Sequence, residues 1–212
     1  MKRLAIIGSG ELGIQILNLT EYSTEKFKVV GYYDDTKPIG QVVVDNLKVL
    51  GNLDNVLDDF NNNLFDELVI AVGYIHLNHR KSIFDKFSEI IPFASIIHKT
   101  CLIDETATID SGSVLYAGCI IDKNVHIKNN VLLNLGVVVS HDTAIGNHSF
   151  IAPGVVISGF VEIDELNFIG SGTVIVDNVK VCAQNVIGAG SVVPFNLKKS
   201  GLYVGNRLRK IK

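Results

Sequence analysis

The chain of 212 residues contains no run of roughly eighteen apolar residues, the length a membrane-spanning helix needs. Its opening Met1-Lys2-Arg3-Leu4-Ala5-Ile6-Ile7-Gly8 is basic and then apolar, but the apolar run is too short for a secretory signal. Net charge is scarce too: 19 Lys and Arg stand against 22 Asp and Glu, for −3 at neutral pH. That balance gives no electrostatic reason to expect nucleic acid or a membrane as a partner. Cysteine is limited to three, an odd number without the paired spacing of a zinc site. A cytoplasmic protein is the resulting expectation. With 47% hydrophobic and 19% charged residues it has the composition of a large buried core, in one large or two small domains.

Against these absences stands one regularity. From Ile97 to Val193 every sixth residue is Ile, Leu or Val, without a miss. A period of six fits neither a helical face nor a simple alternating strand, and marks a parallel β-helix built from short, flat-sided units. Three units make a coil of eighteen residues, so the series implies a little over five coils. The position after each series aliphatic carries Gly146, Gly170 and Gly188, and elsewhere Asp104, Asp110, Asp122, Asn134 and Asp164, which predicts that the turns fall there. No insertion breaks the phase, so no external loop is expected. Cys101 and Cys119 lie eighteen residues apart, on adjacent coils. That spacing permits a disulfide, but a reducing compartment favours packed free thiols. Handedness does not follow from the period.

The first ninety or so residues alternate strand and helix. Strands are expected over residues 3–7, 28–33 and 68–72, helices over 12–19 and 76–87, and a polar helix running into a loop over 54–63. That order implies a small parallel sheet with right-handed crossovers. Gly8, Gly10 and Gly13 spell G-x-G-x-x-G, with Asp34 and Asp35 some twenty residues on. This is the dinucleotide fingerprint, in which backbone N–H groups take a phosphate and an acidic residue a ribose hydroxyl. Fewer than a hundred residues precede the repeat, half of a full dinucleotide fold, so a mononucleotide suits the space better. Gly73 would complete the rim, and a plain cap on the prism is the alternative.

The ordered set Asn134-Leu135-Gly136, Ser140-His141-Asp142, Ile145-Gly146, Ala152-Pro153-Gly154, Ser158-Gly159, Ile169-Gly170-Ser171-Gly172, Ile187-Gly188-Ala189-Gly190 and Val204-Gly205-Asn206 resembles the sialic acid O-acetyltransferase family of hexapeptide-repeat acyltransferases. It is most similar to the family's nucleotide-sugar N-acetyltransferases, and Gly8-Ser9-Gly10 and Tyr33-Asp34-Asp35 match as well. The resemblance implies an α/β N-terminal domain with a small Rossmann-like parallel sheet, followed by a left-handed parallel β-helix. It also implies a homotrimer with acetyl-CoA between neighbouring prisms and a nucleotide-sugar acceptor on the N-terminal domain. The domains expected are 1–92 for the nucleotide sugar, 93–199 for acyl transfer and 200–212 as a tail.

Acetyl transfer to an amine needs a base, an oxyanion donor and a site that holds both substrates. His141 resembles the family's catalytic base, with Asp142 fixing its tautomer, although spacing alone would equally allow a surface histidine on a turn. Gly159, eighteen residues on, would offer an N–H to the thioester oxygen, or be a glycine required only by its turn. Asn134 would orient His141 or the acceptor, or sit in a side-chain ladder. Ser171, Ala189 and Gly190 match the family's coenzyme groove. Substrate contacts are expected from Gly8, Ser9, Gly10, Asp34, Asp35 and Gly73. Three departures from the family pattern stand out: Leu12 and Phe150 replace histidines, and the closing motif reads Gly205-Asn206-Arg207-Leu208-Arg209.

The expected reaction moves acetyl from acetyl-CoA to the amino group of a nucleotide-linked 4-amino-deoxy sugar, by direct attack without an acyl-enzyme and without a metal. The alternative within the class is O-acetylation of sialic acid or a related sugar hydroxyl. From other classes, a β-helix carbonic anhydrase would need zinc held by His126, His141 and His148, whose spacing marks no ligand set, and His76 with His79 lacks further ligands. A nucleotide sensor or scaffold would leave His141 and Asp142 idle. The basic stretch from Lys198 to Lys212 would meet coenzyme phosphates or remain solvated.

Overall fold

The computed structural model describes residues 1–205. It divides into two compact units, Met1–Lys99 with Ser111–Val114, and Thr100–Asp110 with the chain from Leu115 onward. The distal part of the tail and of the closing motif, from Asn206 to Lys212, lies outside the described residues.

The first unit is built on strands β1 (Lys2–Ile7), β2 (Phe27–Tyr33), β3 (Val42–Val44), β4 (Leu47–Gly51) and β5 (Glu67–Ile70), ordered β3-β4-β2-β1-β5. β1 pairs parallel with both β2 and β5, and β2 parallel with β4. Helices α1 (Glu11–Glu21) and α2 (Val56–Asn61) connect strands of this sheet, and α3 (Leu77–Phe87) follows β5 after a 3-10 turn at Tyr74–His76. β1 and β5 are near-continuous apolar strands, as a buried parallel sheet requires, and α1 buries Gly13, Ile16, Leu19 and Thr20 at helical spacing. One core gathers Ile7, Tyr33, Phe65, Leu68, Ile70, Ile83, Phe87 and Phe93. The fully buried Arg80 of α3 donates to the carbonyls of Ile70 and Val72, both at 3.0 Å, and so pins the end of β5. The hairpin β3–β4 has no counterpart in the sequence reading. Its signal is the two-residue Asp45-Asn46 turn between Val42-Val43-Val44 and Leu47, with Asp45 at φ +50° in place of the more telling glycine.

The second unit is a triangular parallel β-helix of two-residue strands separated by four-residue corners. One face stacks Leu102–Ile103, Ile120–Ile121, Val138–Val139, Val156–Ile157, Val174–Ile175 and Val192–Val193. A second stacks the pairs from Thr108–Ile109 to Lys180–Val181, and a third runs from Val114–Leu115 to Leu202–Tyr203. Along the first two faces each rung pairs with the residue eighteen further on, in register. The series aliphatics point inward: Ile121, Ile157 and Ile187 are 0–2% exposed. Polar residues in the same interior tie one coil to the next. Thr143 donates to Ser158 O and accepts from Val161 N–H, and Asn167 accepts from Asn185 N–H. Leu202–Tyr203 pairs with Val186–Ile187, sixteen rather than eighteen residues back, so the ladder continues past residue 199 after losing two residues.

The turn position differs from the expectation. From Gly112 to Gly190 every sixth residue has φ between +53° and +75°, and this residue stands three places after the series aliphatic, not one. Gly146, Gly170 and Gly188 are glycines for a different reason. A Cβ on Gly146 would meet Glu165 N at 2.6 Å and Asp164 O at 2.7 Å, and one on Gly170 would meet Ala189 N at 2.5 Å, so close stacking of coils excludes a side chain there. Asp122 and Asn134, at the same position, instead cap the next N–H, of Lys123 at 2.8 Å and Leu135 at 2.7 Å. All three cysteines are free. Cys101 and Cys119 each donate into the following coil, to Tyr116 O at 3.2 Å and Asn134 O at 3.3 Å. The hydrogen bond to Cys101 and burial push the Cys119 thiol up, so it is unreactive. Among the described residues no helix is long and apolar enough to cross a membrane.

These two kinds of glycine separate by mutation. Gly146→Ala forces coils apart and is expected to destabilise by about 1–3 kcal/mol. Gly154→Ala, with φ +67° and open space around the added methyl, is expected to lose about 1 kcal/mol. Urea unfolding midpoints check this, and the reverse order would mean that turn conformation, not coil spacing, limits the fold.

Candidate active site

In the first unit a cleft of about 500 Å³ opens at the carboxyl ends of β1, β2 and β5. Its wall includes Gly8 and Gly10, Asp34, Asp35 and Thr36, Ala71 and Val72. With β2 on one side of β1 and β5 on the other, this is the point where chain order reverses across the sheet, where α/β sheets bind ligands. Gly8 has φ +104° and its Cβ would approach Ala71 O to 2.7 Å, while a Cβ on Gly13 would overlap the Gly8 carbonyl. Gly10 caps α1 with nothing within 4 Å of its missing Cβ and no side-chain cap on the helix, so the first N–H groups of α1 lie beside open space.

Asp34 braces this loop. One carboxylate oxygen accepts from Ser9 N–H (2.9 Å) and Oγ–H (2.6 Å), the other from Thr36 N–H (2.8 Å) and Oγ1–H (2.6 Å). A carboxylate has about four lone-pair sites, so Asp34 is saturated. Burial would raise its pKa, but these four bonds outweigh that and take it down to about 2. Ser9 is buried under the loop. Asp34 and Asp35 both line the cleft, and Asp35, whose Oδ1 accepts from Leu53 N–H at 2.8 Å, is the one that is not saturated by the loop. Gly73 caps the 3-10 turn and is not part of the wall; His76 and His79, three apart across that turn and α3, are. Sequence reasoning weighed that pair only as metal ligands.

The predicted residues of the second unit fall on two corners. His141, Asp142 and Gly159 share the corner that follows the face of Val138–Val139. His141 Nδ1 lies 3.0 Å from Asp142 Oδ2, and Asn124 Nδ2, one coil below, donates to Asp142 Oδ1 at 2.9 Å. The bonds from Asn124 and then His141 hold the Asp142 carboxyl below its ordinary value, against burial. A carboxylate only accepts, so Nδ1 carries the proton and Nε2 presents its lone pair. A Cβ on Gly159 would lie 2.7 Å from His141 Cε1 and 2.9 Å from Nε2, so glycine is required there by the imidazole itself. At Lys123 the equivalent N–H is capped by Asp122, but Ser158 precedes Gly159, whose N–H has no acceptor among the described residues. Phe160 completes the cluster, its ring edge-on to His141 at 5.1 Å between centroids.

Asn134, Ser171, Ala189 and Gly190 belong to the other corner of the same face, where Asn134 caps its own turn. After Thr100 in the first coil, each coil has glycine at the left-handed position of this corner: Gly118, Gly136, Gly154, Gly172 and Gly190. The other two corners put Asn, Asp, His, Phe, Leu or Gln there in most coils, and nothing lies within 4 Å of a Cβ built on the last four of these glycines. This glycine edge thus bears no side chain at its left-handed position, although the other corners accept side chains at the same φ. The face between the two edges carries an outward aliphatic on every rung, with Leu102 67%, Ile120 44% and Val192 46% exposed. Outside this site, His126 pairs with Asp110 and His148 with Asn130, on other faces and corners. No cluster of three His, Cys, Asp or Glu placed for a metal occurs among the described residues.

No family model and no curated protein sequence matches the chain. Solved structures do. The acetyltransferase domain of PglB from Neisseria gonorrhoeae FA1090, in complex with acetyl coenzyme A, is 23% identical at a TM-score of 0.82, covering 96% of both chains. PerB from Caulobacter crescentus, in complex with CoA and GDP-perosamine, is 24% identical at 0.86, over 97% of this chain and 95% of its own. WeeI from Acinetobacter baumannii AYE is 22% identical at 0.74, over 99% of both. The chain shares their fold, an α/β unit followed by a left-handed parallel β-helix.

The bracing of the glycine loop has a pH signature. With a folded-state pKa of about 2 against an ordinary 3.8, the Asp34 carboxylate stabilises the fold above about pH 4, and this is lost as pH falls through about 2. Asp34→Asn is expected to lose about 1–2 kcal/mol at pH 7. Its stability should then fall less steeply than wild type between about pH 4 and 2. The Arg3–Asp66 pair titrates in the same window in both proteins, so the difference between their chemical-denaturation curves reads Asp34.

Proposed function

We propose that the chain is an acetyl-CoA-dependent N-acetyltransferase acting on the amino group of a nucleotide-linked 4-amino-deoxy sugar. The observation that carries this reading is His141, held by Asp142 through Nδ1, with the bare backbone of Gly159 against its other ring atoms. The neighbours bound to acetyl coenzyme A, and to CoA with GDP-perosamine, support the substrate class.

In the proposed step the acceptor amine attacks the thioester carbonyl carbon. Its proton passes to His141 Nε2 as the C–N bond forms, and Asp142 stabilises the resulting imidazolium. The Gly159 N–H meets the developing oxyanion. The C–S bond then breaks, and the CoA sulfur leaves with a proton returned by His141. No cysteine stands beside His141 among the described residues, which favours direct attack.

The glycine edge, with Ser171, Ala189 and Gly190, would take the pantetheine arm, since a strip without side chains lets a ligand run against backbone. In the first unit the N-terminus of α1, from Gly10 on, would take a phosphate, with Gly8 letting the backbone come close and Asp35 taking a ribose hydroxyl. Ser9 and Asp34 brace the loop, since the Ser9 N–H and hydroxyl are both spent on Asp34 and the Gly8 N–H on Tyr33 O. These roles assign nucleotide-sugar binding to residues 1–92 and acyl transfer to 93–199. A homotrimer fits the aliphatic face, which is too exposed and continuous for a monomer, and such packing sets the His141 edge of one copy near the Asn134 and glycine edge of another.

The test is CoA release from acetyl-CoA with UDP-, dTDP- and GDP-linked 4-amino sugars and with free sialic acid. Turnover is expected with an amino sugar, falling about 10²–10⁴-fold in His141→Ala. Turnover with sialic acid alone would transfer the reading to O-acetylation, and undiminished turnover in His141→Ala would remove the proposed base.

A further inference from the structure

We propose that Phe160 is a positioning residue for His141, held in a strained backbone conformation to do so; this rests on the reading of His141 as the base. Phe160 has φ +57°, a left-handed conformation that a bulky aromatic seldom adopts. In the same column of this corner the chain uses Asn124, Asp142 and Asn178, residue types that tolerate it. Leu166, an equally unsuited residue at another corner, is 5% exposed and gains burial in return; Phe160 is 53% exposed and gains none from its own chain. A strained, exposed residue beside reactive groups points to function rather than packing.

What the strain secures is the edge of an imidazole. Asp142 fixes His141 at one atom, Nδ1, and a single hydrogen bond leaves the ring free to rock about that contact. The Gly159 backbone bounds it on one side, with no more room than its missing Cβ would take. Phe160 bounds it from another direction, its ring at 84° to the imidazole in the edge-to-face arrangement that aromatic pairs prefer. Together the three leave Nε2 with one direction in which to present its lone pair, the condition for proton transfer from an aligned amine.

The proposal predicts opposite signs for stability and rate. Phe160→Asn relieves the left-handed strain, as Asn178 does one coil on, so the thermal midpoint should rise or hold. The same variant should lose about tenfold in kcat while KM for acetyl-CoA stays within about twofold, and Phe160→Tyr should restore most of the rate. In NMR spectra of the substrate-free protein, the ring-current shift of the His141 ring protons should vanish in Phe160→Asn and persist in Phe160→Tyr. His141→Ala is assayed alongside. If His141→Ala is inactive and Phe160→Asn turns over like wild type, this inference alone is overturned. A lowered thermal midpoint in Phe160→Asn would make Phe160 a packing residue and overturn it too. Full activity in His141→Ala would instead remove the base reading on which it rests.

Discussion

From Gly112 to Gly190 every sixth residue enters the left-handed region of backbone space, and the rest of that unit follows from it. Fourteen consecutive corners, from Gly112 to Gly190, obey this without exception. Each such residue bends the chain through one corner of a triangle, leaving strands only two residues long. Strands that short cannot hold register by themselves. Identical spacing of the corners brings the series aliphatics into columns, and those columns supply the apolar burial that stabilises the whole. The hydrophobic series is therefore the visible consequence of a conformational rule that operates three residues further on.

Column geometry also explains how a site arises on a surface without loops. Residues eighteen apart are neighbours along the axis, so Asn124 reaches Asp142, and His141 lies over Gly159, without any insertion to carry them. Residues six or seven apart stand on different edges. Asn134 and His141 look like one motif in sequence, yet they occupy the two borders of one face. A face bordered by the His141 edge and a glycine edge, with aliphatics between, is therefore asymmetric.

The architecture of the second unit was legible because burial repeats with a fixed period, and periodicity survives in sequence. The turn column was written there too, since ten of its fourteen occupants from Gly112 to Gly190 are Gly, Asn or Asp. But the position just after each aliphatic carries its own Gly and Asp and competes with it, and His148, Phe160, Leu166 and Gln184 interrupt the run. Only tertiary stacking makes those conformations tolerable. In the first unit the glycine loop and the acidic pair could be read, but not their division of labour. That Asp34 is saturated while Asp35 is not depends on Ser9, 25 residues away, adding two bonds to the local pair from Thr36, and no local pattern encodes the first two. His76 and His79 escaped as cleft residues because the spacing that brings them to the wall is ordinary helical spacing.

The corner rule and the chemistry intersect most closely at Asp142. This residue sits at φ +54°, so the fold asks it to tolerate the left-handed region, and its carboxylate holds His141 Nδ1, so the chemistry asks it for an acceptor at short reach. Asp meets both demands, since its short polar side chain is among the few that visit this region readily. A longer carboxylate would meet the second at greater backbone strain. Asn124 satisfies the same conformational demand one coil below while donating to the other carboxylate oxygen, so turn formation and orientation of the imidazole are carried by the same two side chains. Phe160, one coil above in that column, breaks the pattern, and it does so beside the imidazole, where an aromatic edge is useful and a turn-forming residue would offer none.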